Sequence, residues 1–214
     1  MAEIAIIDYG MGNLHSVAKA VDYVIDKNSK VKVTNSLEQI KNCSHIIFPG
    51  QGAVSECMSN ISKTFSVNEF NTIIKEKPFL GICMGLQVLM TLSMENKGVN
   101  CLNIFDGKVS SLEIALHDEN KKLKIPHMGW NKVKKIANHV LWNKIDDDSY
   151  FYFVHSYFVE PKNKELVLGT TSYGIEFVSA IYRDNIVAVQ FHPEKSSKIG
   201  LKFLENFIKW DGSL

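Results

Sequence analysis

Pro78-Phe79-Leu80-Gly81-Ile82-Cys83-Met84-Gly85-Leu86-Gln87 decides how this chain is read. Phe79 to Ile82 is a short apolar run behind a proline, as expected of a buried strand. Leu86 to Met90 reads as the first buried turns of a helix. Between them, Gly81-Ile82-Cys83-Met84-Gly85 has the form G-x-C-x-G, the strand-to-helix elbow that presents a nucleophile, with Cys in place of Ser. Small residues on either side of the cysteine let strand and helix approach closely, so the sulfur can stand at the top of the turn. The helix N-terminus behind it favours negative charge there. A plain buried cysteine is the competing reading, and the elbow alone does not separate the two.

Working outward from the elbow, the first half of the chain alternates strand and helix signals. Ile4 to Ile7 is an apolar run ended by Asp8-Tyr9-Gly10-Met11-Gly12. A helical pattern follows through Val17, Ala20, Val21, Val24 and Ile25. Val31 to Val33 is a second strand, and Ser36 caps a short helix carrying Leu37 and Ile40. His45 to Phe48 is a third strand, stopped by Pro49-Gly50-Gln51-Gly52, and Phe65 to Lys75 looks helical. Strands separated by helices imply βαβ units and a mostly parallel, twisted sheet covered by helices on both faces.

The C-terminal half adds antiparallel strands, at Tyr150–Val154, Leu166–Thr171, Phe177–Tyr182 and Ile186–Phe191. Arg183-Asp184-Asn185 suits a hairpin turn between the last two. An amphipathic helix carrying Ile199, Phe203, Leu204, Phe207 and Ile208 closes the chain. With 214 residues and no repeat or linker, residues 1–214 read as a single α/β domain.

Composition excludes several classes. A hydrophobic content of 45% and charged content of 22% fit a soluble globular protein, and a net charge of +1 gives no pull toward nucleic acid or anionic membrane. No apolar run approaches the ~20 residues that span a bilayer. The N-terminus lacks a signal-peptide pattern, so the expected location is cytoplasmic. Among the four cysteines, Cys43, Cys57 and Cys101 sit in ordinary surroundings, no C-x-x-C occurs, and no metal site is expected. Asp146-Asp147-Asp148 and the Lys121, Lys122, Lys124 cluster read as solvated loop charge. Gly10-Met11-Gly12 begins like a dinucleotide loop, but His15 stands where a third glycine is needed, which rejects nucleotide binding there.

A cysteine nucleophile needs a base, and the base needs an orienter. Of the seven histidines, His192 follows an apolar strand in Gln190-Phe191-His192-Pro193-Glu194-Lys195-Ser196. Pro193 favours an extended His192, and residues i and i+2 of an extended segment share a face, so Glu194 can lie beside the imidazole and fix its tautomer. Cys83 and His192 both fall at carboxyl ends of predicted strands, where open parallel sheets gather their functional groups. The N–H of Met84 is the natural first donor to a developing oxyanion. The Gly50-Gln51-Gly52 loop can supply a second, and an ordinary strand-ending turn is the alternative there. Pro126-His127-Met128-Gly129-Trp130-Asn131 and His155-Ser156-Tyr157 put large aromatics in presumed loops, as an interface or a core would.

Taken together, G-I-C-x-G-x-Q at Cys83 and H-P-E at His192–Glu194 resemble the signature of the class I (triad-type) glutamine amidotransferases. Asp8-Tyr9-Gly10-Met11-Gly12-Asn13, Pro126 to Asn131, Phe153-Val154-His155-Ser156-Tyr157 and Gln190 to Ser196 narrow the resemblance to the glutaminase subunits of imidazole glycerol phosphate synthases, nearly end to end. The resemblance implies a flavodoxin-like fold, a Cys83–His192–Glu194 triad and a γ-glutamyl thioester. It implies that Gln87, Ser156 and Tyr157 help hold L-glutamine, and that no cofactor is used. Ammonia would pass to a separate (β/α)8-barrel cyclase subunit in a heterodimer, which makes imidazole glycerol phosphate and an aminoimidazole carboxamide ribotide. Asn13, Met128, Trp130, Asn131 and Lys195 would lie at or near that interface. The family's oxyanion loop often reads Pro-Gly-Val-Gly-Ala-Phe, whereas this chain has Pro49-Gly50-Gln51-Gly52-Ala53-Val54. In the family that loop is thought to wait in an inactive orientation until the cyclase binds its ligand. The rival readings are an amidotransferase subunit of a paralogous synthase, such as one amidating a surface sugar, and a free-standing cysteine hydrolase of the same fold.

Overall fold

The computed structural model describes residues 2–118 and 123–213. Lys121 and Lys122 of the basic cluster lie outside the described residues. The first half runs β1 (Glu3–Ile7), α1 (Leu14–Val24), β2 (Lys30–Thr34), α2 (Leu37–Asn42), β3 (His45–Gly50), α3 (Val54–Thr64), α4 (Val67–Ile73), β4 (Phe79–Cys83) and α5 (Met84–Gln87). Then come β5 (Met90–Ser93), β6 (Val99–Asn100), β7 (Phe105–Ser111), α6 (Leu112–Asp118), β8 (His127–Lys135), β9 (Ser149–His155), β10 (Tyr157–Pro161), β11 (Val167–Tyr173), β12 (Ile175–Arg183), β13 (Ile186–Val189) and α7 (Ser197–Lys209).

The main sheet has the order β2-β1-β3-β4-β13-β12-β10-β7-β5-β6. From β2 to β13 every neighbouring pair is parallel, and antiparallel pairing begins at β13–β12. β11 branches from β12 to β8, which pairs antiparallel with β9. The fold is therefore α/β with a mixed sheet, parallel from β2 to β13 as the alternation of elements implies, with antiparallel strands added in the C-terminal half. The central strands β3, β4 and β13 are buried along their whole length, which explains why they read as unbroken apolar runs. Side chains alternate between two cores. Ala5, Ile7, Ile46 and Phe48 pack with Ile40, Cys57, Ile61 and Phe70 of α2, α3 and α4. Ile4, Ile6, Ile47 and Leu80 pack with Val17 and Val21 of α1 and Phe203, Leu204 and Phe207 of α7.

Local signals hold where they were specific. The Ser36 side chain accepts a hydrogen bond from the Gln39 N–H at 3.4 Å, capping α2. The β12–β13 hairpin turns through Asp184 and Asn185, with Arg183 opposite Ile186 and Asp184 at φ 52°.

Four readings need correction. The expected helix over Leu86–Met90 is a single turn ending at Gln87, and Met90 already belongs to a strand. The chain between β3 and Phe65 forms α3, which has no counterpart in the sequence reading. The third strand does not stop at Phe48 but runs through Pro49 to Gly50. The presumed loops at Pro126–Asn131 and His155–Tyr157 are largely strand, in β8, β9 and β10. No helix among the described residues is long and apolar enough to cross a membrane.

Candidate active site

Cys83 ends β4 with φ 55° and ψ −104°, a backbone region that non-glycine residues rarely occupy. Strain of this kind persists only where the surroundings enforce it, and it gathers at functional sites. Close approach of strand and helix enforces it here. A Cβ on Gly85 would stand 2.0 Å from the Phe48 carbonyl oxygen, and one on Gly81 would stand 2.6 Å from the Gly85 carbonyl oxygen. Only glycine fits at either position. Because α5 is one turn long, few peptide dipoles align behind the sulfur, and the help expected from a helix N-terminus is correspondingly small.

His192 lies just beyond the end of β13, the parallel neighbour of β4. Its backbone is extended (φ −103°, ψ 95°), consistent with the proline that follows. Glu194 reaches the imidazole through a 3-10 turn at Pro193–Lys195, not through the extended segment expected from an i, i+2 spacing. The pair nevertheless meets, with His192 Nδ1 2.8 Å from Glu194 Oε1 and side chains only 9% and 1% exposed. Burial opposes charge on the imidazole, but the Cys83 sulfur and the Glu194 carboxylate outweigh it and push His192 up to about 10. Ser196 locks the turn: its hydroxyl donates to the His192 carbonyl at 2.6 Å and accepts from the Tyr152 N–H at 2.9 Å.

Cys83 and His192 line one pocket of about 350 Å³, with Gln51, Gly52, Met84, Gln87, Ser156, Tyr157 and Lys195 around them. That volume suits a small polar molecule. A larger groove of about 580 Å³ at His139, Trp142 and Tyr182 has no cysteine in its lining. Gly50 pairs in register with Cys83, so the loop that follows begins alongside the sulfur. Tyr9 donates its hydroxyl proton to the Pro49 carbonyl at 3.1 Å, which anchors the loop's entry, and Gly52 has φ 88°. Met84 opens α5, so its N–H is one of the helix's unpaired donors. Gln87 is buried and donates to the Tyr157 carbonyl and to Gln190 Oε1, both at 3.1 Å.

The residues expected at a partner interface divide into two places. Met128 and Trp130 project from β8 at 62% and 50% exposure. The Trp130 ring meets Tyr152 edge-on at 6.1 Å, and Lys195 Nζ lies 5.9 Å from the same Tyr152 ring, so a row runs from the open face to the pocket rim. Asn131 is on the opposite side of β8, bonded to His127 and to the Ser172 carbonyl. Asn13 is exposed at the start of α1, and the Gly12 backbone before it packs against Pro49. Pro126, Val154 and His155 line the pocket but were not read from sequence as site residues, and neither was Gln190, which is fully buried beside the sulfur. Gln190 precedes His192 by two positions. It donates to Cys83 Sγ at 3.5 Å.

Among the described residues, no group of three His, Cys, Asp or Glu side chains is placed to hold a metal ion. The family model described as glutamine amidotransferase class-I matches residues 5–210. The chain belongs to the class-I glutamine amidotransferases. The imidazole glycerol phosphate synthase subunit HisH of Hydrogenovibrio crunogenus is 48% identical over 98% of this chain and 97% of its own length. The HisH protein of Acinetobacter baylyi is 46% identical over 99% of this chain and 100% of its own. Within the class-I amidotransferases the chain thus belongs with the HisH subunits. A solved glutamine amidotransferase structure, 14% identical, shares the fold with a TM-score of 0.69 over 95% of this chain and 98% of that one.

Proposed function

We propose that this chain is one glutaminase domain, hydrolysing L-glutamine to glutamate and ammonia for a separate cyclase subunit that makes imidazole glycerol phosphate in histidine biosynthesis. The observation that carries the proposal is the meeting of an elbow cysteine and a carboxylate-held histidine on one small pocket. Their presence in a chain nearly as long as its HisH relatives supports the subunit reading.

Cys83 Sγ attacks the γ-carboxamide carbon, forming the C–S bond. The oxyanion that develops is met by the Met84 N–H and by an N–H from the Gly50–Gly52 loop. His192, charged and held by Glu194, gives its proton to the departing nitrogen as the C–N bond breaks, releasing ammonia and leaving the thioester. His192, now neutral, takes a proton from the attacking water, and glutamate departs as the thiolate re-forms. Gln87, Ser156 and Tyr157 hold the amino-acid end of the substrate. Ammonia leaves past the Trp130, Tyr152 and Lys195 row toward a (β/α)8-barrel partner seated on the face that carries Met128 and Trp130, forming a heterodimer.

Co-purification with the candidate cyclase, followed by a glutaminase assay with and without the cyclase's ribotide ligand, tests this. Feeble turnover by the chain alone and strong stimulation in the liganded complex are expected. Robust, unstimulated turnover by the isolated chain would instead mark a free-standing hydrolase.

A further inference from the structure

Two buried imidazoles, His127 and the pocket-lining His155, have no part in the chemistry above, yet they are joined to it. His127 Nδ1 lies 2.8 Å from His155 Nε2, and His155 Nδ1 lies 2.8 Å from the Tyr157 carbonyl oxygen. A carbonyl oxygen only accepts, so His155 carries its proton on Nδ1 and offers a lone pair at Nε2. His127 must then donate from Nδ1, which leaves its own Nε2 as an acceptor. Asn131 Nδ2 supplies that donor at 3.1 Å, and its other N–H goes to the Ser172 carbonyl at 2.9 Å. The amide orientation has an independent check, because Asn131 Oδ1 accepts the Lys132 N–H at 2.8 Å.

From Tyr157 the connection continues to the nucleophile. The same carbonyl oxygen accepts from Gln87 Nε2 at 3.1 Å. The second Gln87 N–H goes to Gln190 Oε1 at 3.1 Å, and Gln190 Nε2 donates to Cys83 Sγ at 3.5 Å. His127, His155, Gln87 and Gln190 are 3%, 5%, 3% and 0% exposed, so a lost partner here is not replaced by bulk water. The rings are held as well as bonded. His127 stacks on Tyr173 at 4.0 Å and on Phe153 at 4.9 Å, and His155 lies 5.0 Å from Phe177. Burial also lowers both imidazoles, His127 to about 4 and His155 to about 3, which keeps the pair neutral near pH 7.

We propose that His127 and His155 are positioning residues for glutamine hydrolysis. A one-way chain of hydrogen bonds from Asn131 through both rings fixes the Tyr157 carbonyl, and with it Gln87 and Gln190 against the Cys83 sulfur. The chemical requirement is specific: each ring must donate from Nδ1 and accept at Nε2, which no apolar residue of similar shape can do. The proposal rests on the reading of the pocket as a glutamine site, but its tautomers do not.

Two measurements test it together. Long-range nitrogen–proton correlation spectra of the 15N-labelled chain at pH 7 should show both histidines as the Nδ1–H tautomer. Either one found as Nε2–H overturns the chain of bonds. In the partner complex, His155→Phe keeps an aromatic ring but leaves the Tyr157 carbonyl short of a donor. It also leaves the His127 Nδ1–H without its acceptor, and should raise the KM for glutamine about tenfold, the usual scale for one buried polar group left unpaired, with ammonium-driven synthesis unchanged. His155→Asn, which can present an N–H near the Nδ1 position, should recover most of that loss. Equal KM values for wild type and both variants overturn the proposal, as does equal impairment of the two. A wild-type complex that does not turn over glutamine would defeat the substrate reading instead, and the tautomer spectra would still decide the chain of bonds.

Discussion

His192 and Glu194, separated in sequence only by Pro193, join through Nδ1 and Oε1 at 2.8 Å, with both side chains almost wholly out of solvent. A buried carboxylate placed there steadies the protonated ring and fixes which nitrogen faces the pocket. Glu194→Gln keeps the shape and removes the charge, so glutamine turnover should fall by at least about 100-fold. The variant should also change the pH dependence of stability. The folded-state value for His192, about 10, lies above that of a free imidazole, about 6.5. The associated stabilisation is therefore complete below pH about 6.5 and is lost as pH rises through about 10. Removing the Glu194 charge should bring the upper edge of that window down. Melting temperatures measured from pH 6 to pH 10 check this, and an unmoved upper edge would contradict it.

Gly85 has no room for a methyl group, because a Cβ would stand 2.0 Å from a backbone oxygen that belongs to the central strand β3. Gly85→Ala should destabilise the chain by about 3 kcal/mol or more in urea unfolding, since backbone on both sides must move. A loss below about 1 kcal/mol would mean that the elbow is looser than its geometry implies.

Burial pushes Cys57 up to about 12 and Cys101 up to about 11, and it raises Cys43 as well. At pH 7 those three thiols hold their protons. Iodoacetamide at one equivalent should therefore label Cys83 first, and peptide mapping by mass spectrometry reads the site directly. Primary labelling at any of the other three would contradict the assignment of the reactive thiol.

Met128 is 62% exposed on β8 and touches little of its own chain. Met128→Ala should leave the melting temperature within about 2 °C of wild type, as surface substitutions do, while weakening association with the cyclase by about 1 kcal/mol. Calorimetric titration of the two subunits measures the second effect. Unchanged affinity would move the interface away from this face.

The elements read correctly from sequence are those in which one force dominates. β3, β4 and β13 are buried on both faces, so their apolar runs needed only a length to be read as strands. The same rule misled at Leu86–Met90, where a one-turn helix and the start of a strand share one continuous apolar run that periodicity cannot divide. β8 was hidden for the opposite reason. Its inward positions hold His127, Gly129 and Asn131 while Met128 and Trp130 face outward, so its alternation of polar and apolar residues is inverted. The polar inner face carries hydrogen bonds, from His127 to His155 and from Asn131 to the Ser172 carbonyl. In the candidate site, Cys83 and His192 were legible because each terminates an apolar strand. Gln190 passed as part of the strand, since nothing in a single sequence distinguishes a buried amide that bonds a sulfur from one that merely fills the sheet.

The central claim is that Cys83 is needed to release ammonia from glutamine and for nothing downstream. The most direct measurement pairs Cys83→Ala with the cyclase and assays imidazole glycerol phosphate formation from glutamine and, separately, from an ammonium salt. Synthesis from glutamine should vanish while synthesis from ammonium matches the wild-type complex. Glutamine-dependent synthesis that survives the substitution would contradict the account.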